Sequence, residues 1–568
     1  MLKYRCKEHN ILTKTSICPV CGKRTELEQS EIYWCDNCNI PLYSKHCSCG
    51  NKVHRLTTDI RPVFPEERLL IEIIQGTPFA YNEDSVWNAT GNKYYVNGKR
   101  IEFSIHALKE LDAEKIREQY EHLKEKNSYQ FFDEYIEKFI LENKERMNEI
   151  TQEAVSYIRQ TTAGYDTRDM FVSFSGGKDS TVTSDLVMRA LSEPKLLHIF
   201  GDTTLEFPET MKYVERFKKL HTKTPVLSSR NREKNFEELC QLVGPPSRIM
   251  RWCCTIFKTG AINRKISALF KNKSQIITFY GIRRSESASR NKYERETEGS
   301  KITKQITISP IIDWQDFDVW LYLLSTGIDF NYAYRLGYAR VGCWCCPNNS
   351  TWSEFLSRIY MPEQYQHFHD LLVDFATNIG KPDAEKYVND GKWKARQGGN
   401  GVEYASNTLV SFQPCALEEN AFNYELRKPI TEELYELFKP FGYIHKELGD
   451  ARLGEVYVTK KNGSMLLKLQ GRLNSSQLKI TIYDYQLDGA QRIHGAEEKI
   501  KCQLTKYQLC MACRACEAIC KQNAIEIRED LDGVIHYQID DNKCVRCAEC
   551  VNHFNAGCYI RKVLATKK

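Results

Sequence analysis

Apolar residues in this chain change their spacing abruptly around position 175. Met170, Phe171 and Val172 are consecutive and predict the end of a buried strand, whereas Thr181, Val182, Leu186, Val187, Met188 and Leu191 recur at helical spacing. Between them lies Ser173-Phe-Ser-Gly-Gly-Lys-Asp-Ser180, so a glycine-rich turn joins a strand to a helix. Lys195–Phe200 is a second short apolar strand that ends at Gly201-Asp202, and strand and helix patterns alternate from about 165 to 400. Such alternation predicts an α/β domain around a parallel sheet.

Flanking stretches follow other patterns. Residues 111–164 are rich in Glu and Lys, with Phe131, Phe132, Tyr135, Phe139 and Ile140 at helical spacing, and predict amphipathic helices. Residues 59–110 combine the apolar run Leu69–Ile74 with Tyr94-Tyr-Val-Asn-Gly-Lys99, whose Asn97-Gly98 reads as a hairpin turn in a small α/β unit. Residues 401–500 alternate in Glu455–Thr459, Met465–Leu469 and Leu478–Tyr483 and predict a β-rich insert, expected to pack against the α/β domain. The fold class is therefore multidomain α/β, with a distinct unit over 1–58 and another over 501–568.

The chain has 568 residues and a net charge of +6 from 80 basic and 74 acidic residues, too mild to imply nucleic acid by itself. It has no long apolar run to span a membrane, and Met1-Leu-Lys-Tyr-Arg-Cys does not read as a signal peptide, so a cytoplasmic location is expected. The 23 cysteines change the picture, because in a cytosolic chain they point to metal ligands rather than disulfides. Residues 1–54 carry the pairs Cys6/His9, Cys18/Cys21, Cys35/Cys38 and Cys47/Cys49, enough for two tetrahedral zinc ions. Sequential pairing groups them in that order. Crossed pairing, or a ligand exchanged for His46 or His54, is equally compatible with the spacing.

A strand–turn–helix of this kind is an anion site. The amides of Gly176, Gly177 and Lys178 would leave the helix start unpaired, Ser175 and Ser180 add hydroxyls, and Lys178 adds charge. Asp179 follows Lys178 where a Walker A loop requires Ser or Thr. Asp202, at the carboxyl end of the next strand, stands where a carboxylate could hold Mg²⁺ on bound phosphates.

Ser175-Gly-Gly-Lys-Asp-Ser180 resembles the PP-loop of the ATP pyrophosphatases. Asp202-Thr-Thr-Leu-Glu-Phe-Pro208, Gly281-Ile-Arg-Arg-Ser-Glu286 with Arg290, and Pro310-Ile-Ile-Asp-Trp314 with Asp318-Val-Trp320 are similar to the adenylylsulfate and phosphoadenylylsulfate (PAPS) reductase family over about 165–350. The resemblance implies an adenine-nucleotide site built from Ser173, Ser175, Gly176, Gly177, Lys178, Asp179, Ser180, Asp202, Arg284 and Arg290. Within it, Lys178, Asp179, Asp202 and Arg283 would do the chemistry. It also implies a [4Fe–4S] site on Cys253, Cys254, Cys343 and Cys346, with zinc as the competing occupant and Cys345 as a spare thiol or alternative ligand. Two departures stand out. The loop is intact, as in relatives that split ATP, and the Cys-Gly-Leu-His-type tail of the reductases is missing.

Cys510-x2-Cys513-x2-Cys516-x3-Cys520 and Cys544-x2-Cys547-x2-Cys550-x7-Cys558 are the halves of a two-cluster ferredoxin, in which the fourth cysteine crosses to the other cluster. The expected complement is thus ATP, Mg²⁺, two Zn²⁺ and three [4Fe–4S] clusters. The architecture resembles the ATP pyrophosphatase component of DNA phosphorothioation systems. That resemblance implies adenylylation of a DNA or RNA acceptor, sulfur insertion, a cysteine desulfurase as sulfur source and an electron donor to the ferredoxin domain. The alternatives are a reductase that releases sulfite from a preformed sulfonucleotide, and a nucleic-acid-binding redox sensor with a vestigial loop.

Overall fold

The computed structural model describes residues 4–552 apart from 7, 10, 14–16, 24, 28–30, 232–234, 288–289, 299–304, 397–410, 486–491, 511 and 531–533. At its centre is a six-stranded sheet. Its strands are β1 (Met170–Phe174), β2 (Leu197–Asp202), β3 (Val226–Arg230), β4 (Ile276–Tyr280), β5 (Glu296–Glu298) and β6 (Gln305–Ile308), in the order β3-β2-β1-β4-β6-β5. All pairs are parallel except β5–β6. The strand order reverses between β1 and β4, which is where open α/β sheets leave a crevice at their carboxyl edge. Helix α1 (Lys178–Leu191) follows β1 and helix α2 (Asp316–Thr326) follows β6. Both pack with the helix Lys144–Thr161 over a core of Val172, Val182, Leu186, Ile277, Phe279 and Trp320.

Two small sheets precede this domain. Tyr4–Arg5, Leu12–Thr13 and Glu26–Leu27 form one, and Ile32–Cys35, Ile40–Leu42 and Val53–Thr57 the other. A four-stranded antiparallel sheet then joins Ile60–Pro62, Val86–Ala89, Lys93–Val96 and Lys99–Arg100, with the helix Pro65–Ile74. The amphipathic helices bind these units to the centre. Arg146 reaches Asp318 of α2 through two hydrogen bonds of 2.9 and 3.0 Å, and its guanidinium lies 4.1 Å from the ring centre of Tyr43.

The β-rich stretch is a second six-stranded sheet, all antiparallel, built from six strands between Ser411 and Ile482. It does not pack on the α/β domain as expected from its position. Its apolar face, with Tyr424, Val458, Leu467 and Ile480, closes over the helix Ile493–Leu509 and over Cys516, Ile525 and Cys550 of the ferredoxin segment. That choice is physical: among the described residues the strands of the ferredoxin segment are the hairpin Ile525–Glu529/Ile535–Ile539, too little to bury a core alone.

The turn at Asn97-Gly98 has φ of +47° and +76°, which matches a tight hairpin. Gly98 also abuts the buried indole of Trp34 in the cysteine-bearing unit, so a methyl group there would collide with the ring. We expect Gly98→Ala to cost at least about 1–2 kcal/mol from the left-handed backbone alone. Thermal melting followed by tryptophan fluorescence checks this, and an unchanged midpoint would show that the hairpin and the Trp34 unit separate freely.

Candidate functional site

The turn after β1 ends in α1. Ser175 Oγ donates to Ser180 Oγ at 3.1 Å, and Ser180 Oγ donates to the Gly177 carbonyl at 2.8 Å, which knots the loop before a ligand arrives. The Lys178 N–H is not left open as the sequence suggested, because the Tyr334 hydroxyl accepts it at 2.9 Å. Gly281, just past β4, has no room for a side chain: a Cβ there would lie 2.5 Å from the Asp179 carbonyl oxygen. The exit of β4 therefore lies directly on the start of α1 and delivers the Gly-x-Arg segment to the loop.

Four charges meet at this point. Arg283 donates from Nε to Asp179 Oδ1 at 2.5 Å and from Nη2 to Asp316 Oδ1 at 2.8 Å. Lys178 Nζ lies 3.4 Å from Asp179 Oδ2 and 3.2 Å from Asp316 Oδ1. Burial works against each charge. The neighbouring carboxylates nevertheless hold Lys178 above the usual lysine range, and Arg283 and Lys178 hold Asp179 below the usual carboxylate range. Behind them Asp59, from the N-terminal side, accepts the Asp316 and Phe317 N–H groups at 3.0 Å each and so caps α2. Burial, and Asp316 beside it, push Asp59 up to about 7.

A cleft of about 380 Å³ opens on this network. Ser175, Gly177, Lys178, Asp179 and Ser180 form its floor, Asn88–Asn92 of the N-terminal sheet one wall, and Arg290, Arg340 and Lys258 another. Cys343 also lines the cleft. Ser173, Asp202 and Arg284, also expected at the site, stand elsewhere. Ser173 lies within β1, paired in register with Ile199 and Tyr280. Asp202 spends its carboxylate on its own turn, accepting the Thr204 N–H at 2.9 Å, and does not line the cleft. Arg284 is buried against Asp313 and the Tyr293 carbonyl, a strut behind the loop rather than a cleft residue. Arg290 does line the cleft and pairs with Glu286.

Several cleft residues were not singled out in advance. Asp316 was hidden among the acids of Trp314-Gln-Asp-Phe-Asp318, and only the helix start at Gln315 explains why two of them are needed there. Glu206 faces the cleft while accepting the Thr203 N–H and hydroxyl, and burial raises its pKa. Asp59 and Tyr334 carried no local signal at all.

The core cysteines approach from two segments. Cys253 and Cys254 open a π-helical turn, Cys254–Gly260. Cys343 pairs with Glu206 in an isolated bridge, and its sulfur lies 3.6 Å from Thr203 Oγ1. A hydrogen bond from Cys253, with Lys258, Arg251 and Arg340 nearby, lowers Cys254 to about 6, the thiolate form that metals take. Cys345 is buried in an apolar core with Cys240, Trp252 and Phe257, against which Cys253 and Cys343 also pack, and burial pushes its thiol up. In the ferredoxin segment Ala512 and Arg514 repeat the left-handed backbone of Arg546 and Ala548, with φ of +51° and +59° against +57° and +52°. Paired turns of this kind aim backbone N–H groups inward, a concavity that suits an anionic iron–sulfur cluster. Cys558 lies outside the described residues.

At the N-terminus the cysteines gather in the sequential grouping, Cys6/His9/Cys18/Cys21 and Cys35/Cys38/Cys47/Cys49. Cys6–Cys21, Cys35–Cys49 and Cys38–Cys47 sulfurs lie 3.7, 3.5 and 3.6 Å apart. Ligands about 2.3 Å from a tetrahedral ion sit at about this separation. His46 and His54 lie outside both groups.

Residues 169–349 match the phosphoadenosine phosphosulfate reductase domain and residues 509–553 the 4Fe-4S dicluster domain. The chain thus carries a PP-loop domain of the PAPS reductase family joined to an iron–sulfur dicluster domain. It is 30% identical to an uncharacterized protein of Methanocaldococcus jannaschii over 263 residues, 46% of this chain and 61% of that one. A second uncharacterized protein of the same organism is 30% identical over 268 residues, 47% and 54% of the two chains. The chain therefore spans between half and two thirds of the length of these relatives. An adenosine 5′-phosphosulfate reductase of Anoxybacillus flavithermus is 29% identical over 184 residues, 31% of this chain and 72% of that one. Among solved structures, a PAPS reductase from Candida auris aligns over 36% of this chain and 96% of its own at 16% identity, with a TM-score of 0.27.

Asp59 lines the cleft, caps α2 and adds to the negative charge that favours the Arg283 cation. Asp59→Ala should cost about 1 kcal/mol by uncapping that helix and should weaken nucleotide binding as Asp316 loses its position. Chemical denaturation and calorimetric titration with a non-hydrolysable ATP analogue check both effects. Unchanged affinity would detach Asp59 from the site.

Proposed function

We propose that this chain is an ATP-consuming sulfur-transfer enzyme that activates an acceptor oxygen as an adenylate and supports its replacement by sulfur. The observation that carries the reading is the Lys178–Asp179–Arg283–Asp316 network in a cleft that Cys343 also lines. Lys178 and Arg283 would meet the β- and γ-phosphate oxygens of a nucleotide on the intact PP-loop and match the charge that builds on departing pyrophosphate. Arg290, Arg340 and Lys258 continue that positive wall toward the cysteines and would orient the adenylated acceptor. A Mg²⁺ ion carried in on the phosphates would neutralise part of their charge. Of the cleft carboxylates, Glu206, which stands outside the Lys178–Arg283 network, would meet it in place of Asp202, which does not line the cleft.

In bond terms, an acceptor oxygen attacks the α-phosphorus and pyrophosphate leaves. Sulfide then displaces AMP, which carries that oxygen away. A persulfide source, such as a cysteine desulfurase would supply, yields sulfide on gaining two electrons and two protons. Cys253, Cys254, Cys343 and Cys346 would hold one four-iron cluster, and the ferredoxin cysteines, with Cys558 crossing, two more. When bound, such clusters supply one-electron reduction. The N-terminal cysteine groups would hold zinc, all four positions being protein ligands, which makes these structural sites. A DNA or RNA acceptor suits the cleft wall formed by Asn88–Asn92, on a sheet built against the cysteine-bearing units. The second reading is reduction of a sulfonucleotide to sulfite. The match to adenosine 5′-phosphosulfate reductase favours it, and the ferredoxin domain would then stand in as reductant.

Anaerobic incubation with labelled ATP or with adenylylsulfate separates the two. We expect AMP and pyrophosphate from ATP. Sulfite from adenylylsulfate, with ATP untouched, would transfer the site to the second reading. Lys178→Ala should abolish ATP turnover without changing metal content, and wild-type turnover in that variant would remove the loop from the chemistry. Elemental analysis should give two zinc ions and about twelve irons per chain. About eight irons with extra zinc would place zinc on the core cysteines.

A further inference from the structure

The two halves of the ferredoxin segment share their backbone turns but not their surroundings. In the first half, Cys513 and Ala515 lie in the same apolar cluster as Cys253, Cys343, Trp252 and Phe257 of the α/β domain. Gly260, which ends the π-helical turn begun at Cys254, touches the short helix Ala515–Ile519 so closely that a Cβ on it would lie 2.5 Å from the Ala518 Cβ. Nearby, Asn523 Nδ2 donates to Ser267 Oγ at 2.7 Å. The second half turns outward. Val545 is 63% exposed and Cys547 is exposed, while Cys544 and Cys550 face the antiparallel sheet unit rather than the α/β domain.

We infer that the ferredoxin segment is an oriented electron relay. The Cys544/Cys547/Cys550 half receives electrons from outside. The Cys510/Cys513/Cys516 half passes them across the Gly260–Ala518 contact to the centre on Cys253, Cys254, Cys343 and Cys346. The inference rests on the proposed four-iron occupancy of these cysteines. Each transfer moves one electron: the giving centre is oxidised by one, the receiving centre reduced by one, and no bond forms or breaks. The initial reductant is a low-potential one-electron donor protein. At Gly260 the turn lies against Ala518 with no room for a side chain of its own, which gives the first half a close contact with the core across which an electron can pass. Lys258, Arg251 and Arg340 around Cys254 favour an added electron at the receiving end, since a cluster's potential rises with nearby positive charge.

The alternative is that the contact only glues two domains together. A methyl exchange distinguishes them in the intact, cluster-loaded chain. Gly260→Ala places a methyl against Ala518, and adding Ala518→Gly removes the opposing one. Two readouts apply: magnetic broadening of the reduced core signal by the ferredoxin clusters in low-temperature electron paramagnetic resonance, and the rate at which a reduced bacterial ferredoxin, too large for the cleft, reduces the core. We expect Gly260→Ala to lose the broadening and slow core reduction, with iron content and ATP-analogue affinity unchanged, and the double variant to regain both. Cys547→Ala should also slow core reduction. Wild-type coupling and rate in Gly260→Ala, no recovery in the double variant, an undiminished rate in Cys547→Ala, or no third cluster signal would each overturn the relay. Failure of ATP cleavage would not, because a sulfonucleotide reductase needs the same electrons; product analysis and the relay therefore fail separately.

Discussion

Two cations and two anions locked together in a buried site are the constraint on which the rest of this molecule depends. Lys178 and Asp179 open α1, Arg283 follows the exit of β4, and Asp316 opens α2. Taking such charges out of water costs several kcal/mol each unless partners replace the lost hydration. The network is therefore stable only when all the contributing elements are in register. Gly281 on Asp179, Tyr334 on the Lys178 N–H and Asp59 on the α2 start each serve that register. An anion entering the cleft meets cations already fixed in place, so little ordering remains to be done when it binds.

The same requirement explains the N-terminal units. Asp59 and Arg61 sit at the edge of the small antiparallel sheet, and Arg61 is itself tied to the buried Glu67 by two hydrogen bonds of 2.7 and 2.6 Å. That sheet leans on Trp34 of the second cysteine-bearing unit through Gly98. A metal-stapled fold is a means by which a short stretch with few apolar residues can hold a wall rigid. The N-terminal units thereby act as part of the cleft and not as an appendage to it.

The seam between the α/β domain and the ferredoxin segment is apolar and close, whereas among the described residues the antiparallel sheet shares its core cluster with the ferredoxin segment. Cys343 lines the cleft and packs, with Cys253, on the apolar cluster that also takes Cys513 and Ala515, so cleft, core cysteines and ferredoxin segment adjoin one another. Among the described residues no helix is long and apolar enough to cross a membrane.

Features whose geometry is complete within a few residues were legible in the sequence by itself: the PP-loop with its flanking strand and helix, the Asn97-Gly98 turn, the pairs of metal ligands, and the repeated cysteine halves of the dicluster segment. Spacing determines these because the chain between the functional atoms is too short to offer alternatives. Tertiary structure decided which side chains face the cleft. Asp202 and Arg284 stand beside cleft residues in sequence, yet one closes its own turn and the other pairs with Asp313 behind the loop. Asp59, Asp316, Tyr334 and Glu206 face the cleft without a motif to announce them, and Cys345 points into an apolar core although both its neighbours, Trp344 and Cys346, and nearby Cys343 do not share its burial. The physical reason is that side-chain direction at the end of a strand or helix is settled by what packs there, and for Asp59, Asp316 and Tyr334 those partners lie more than a hundred residues away.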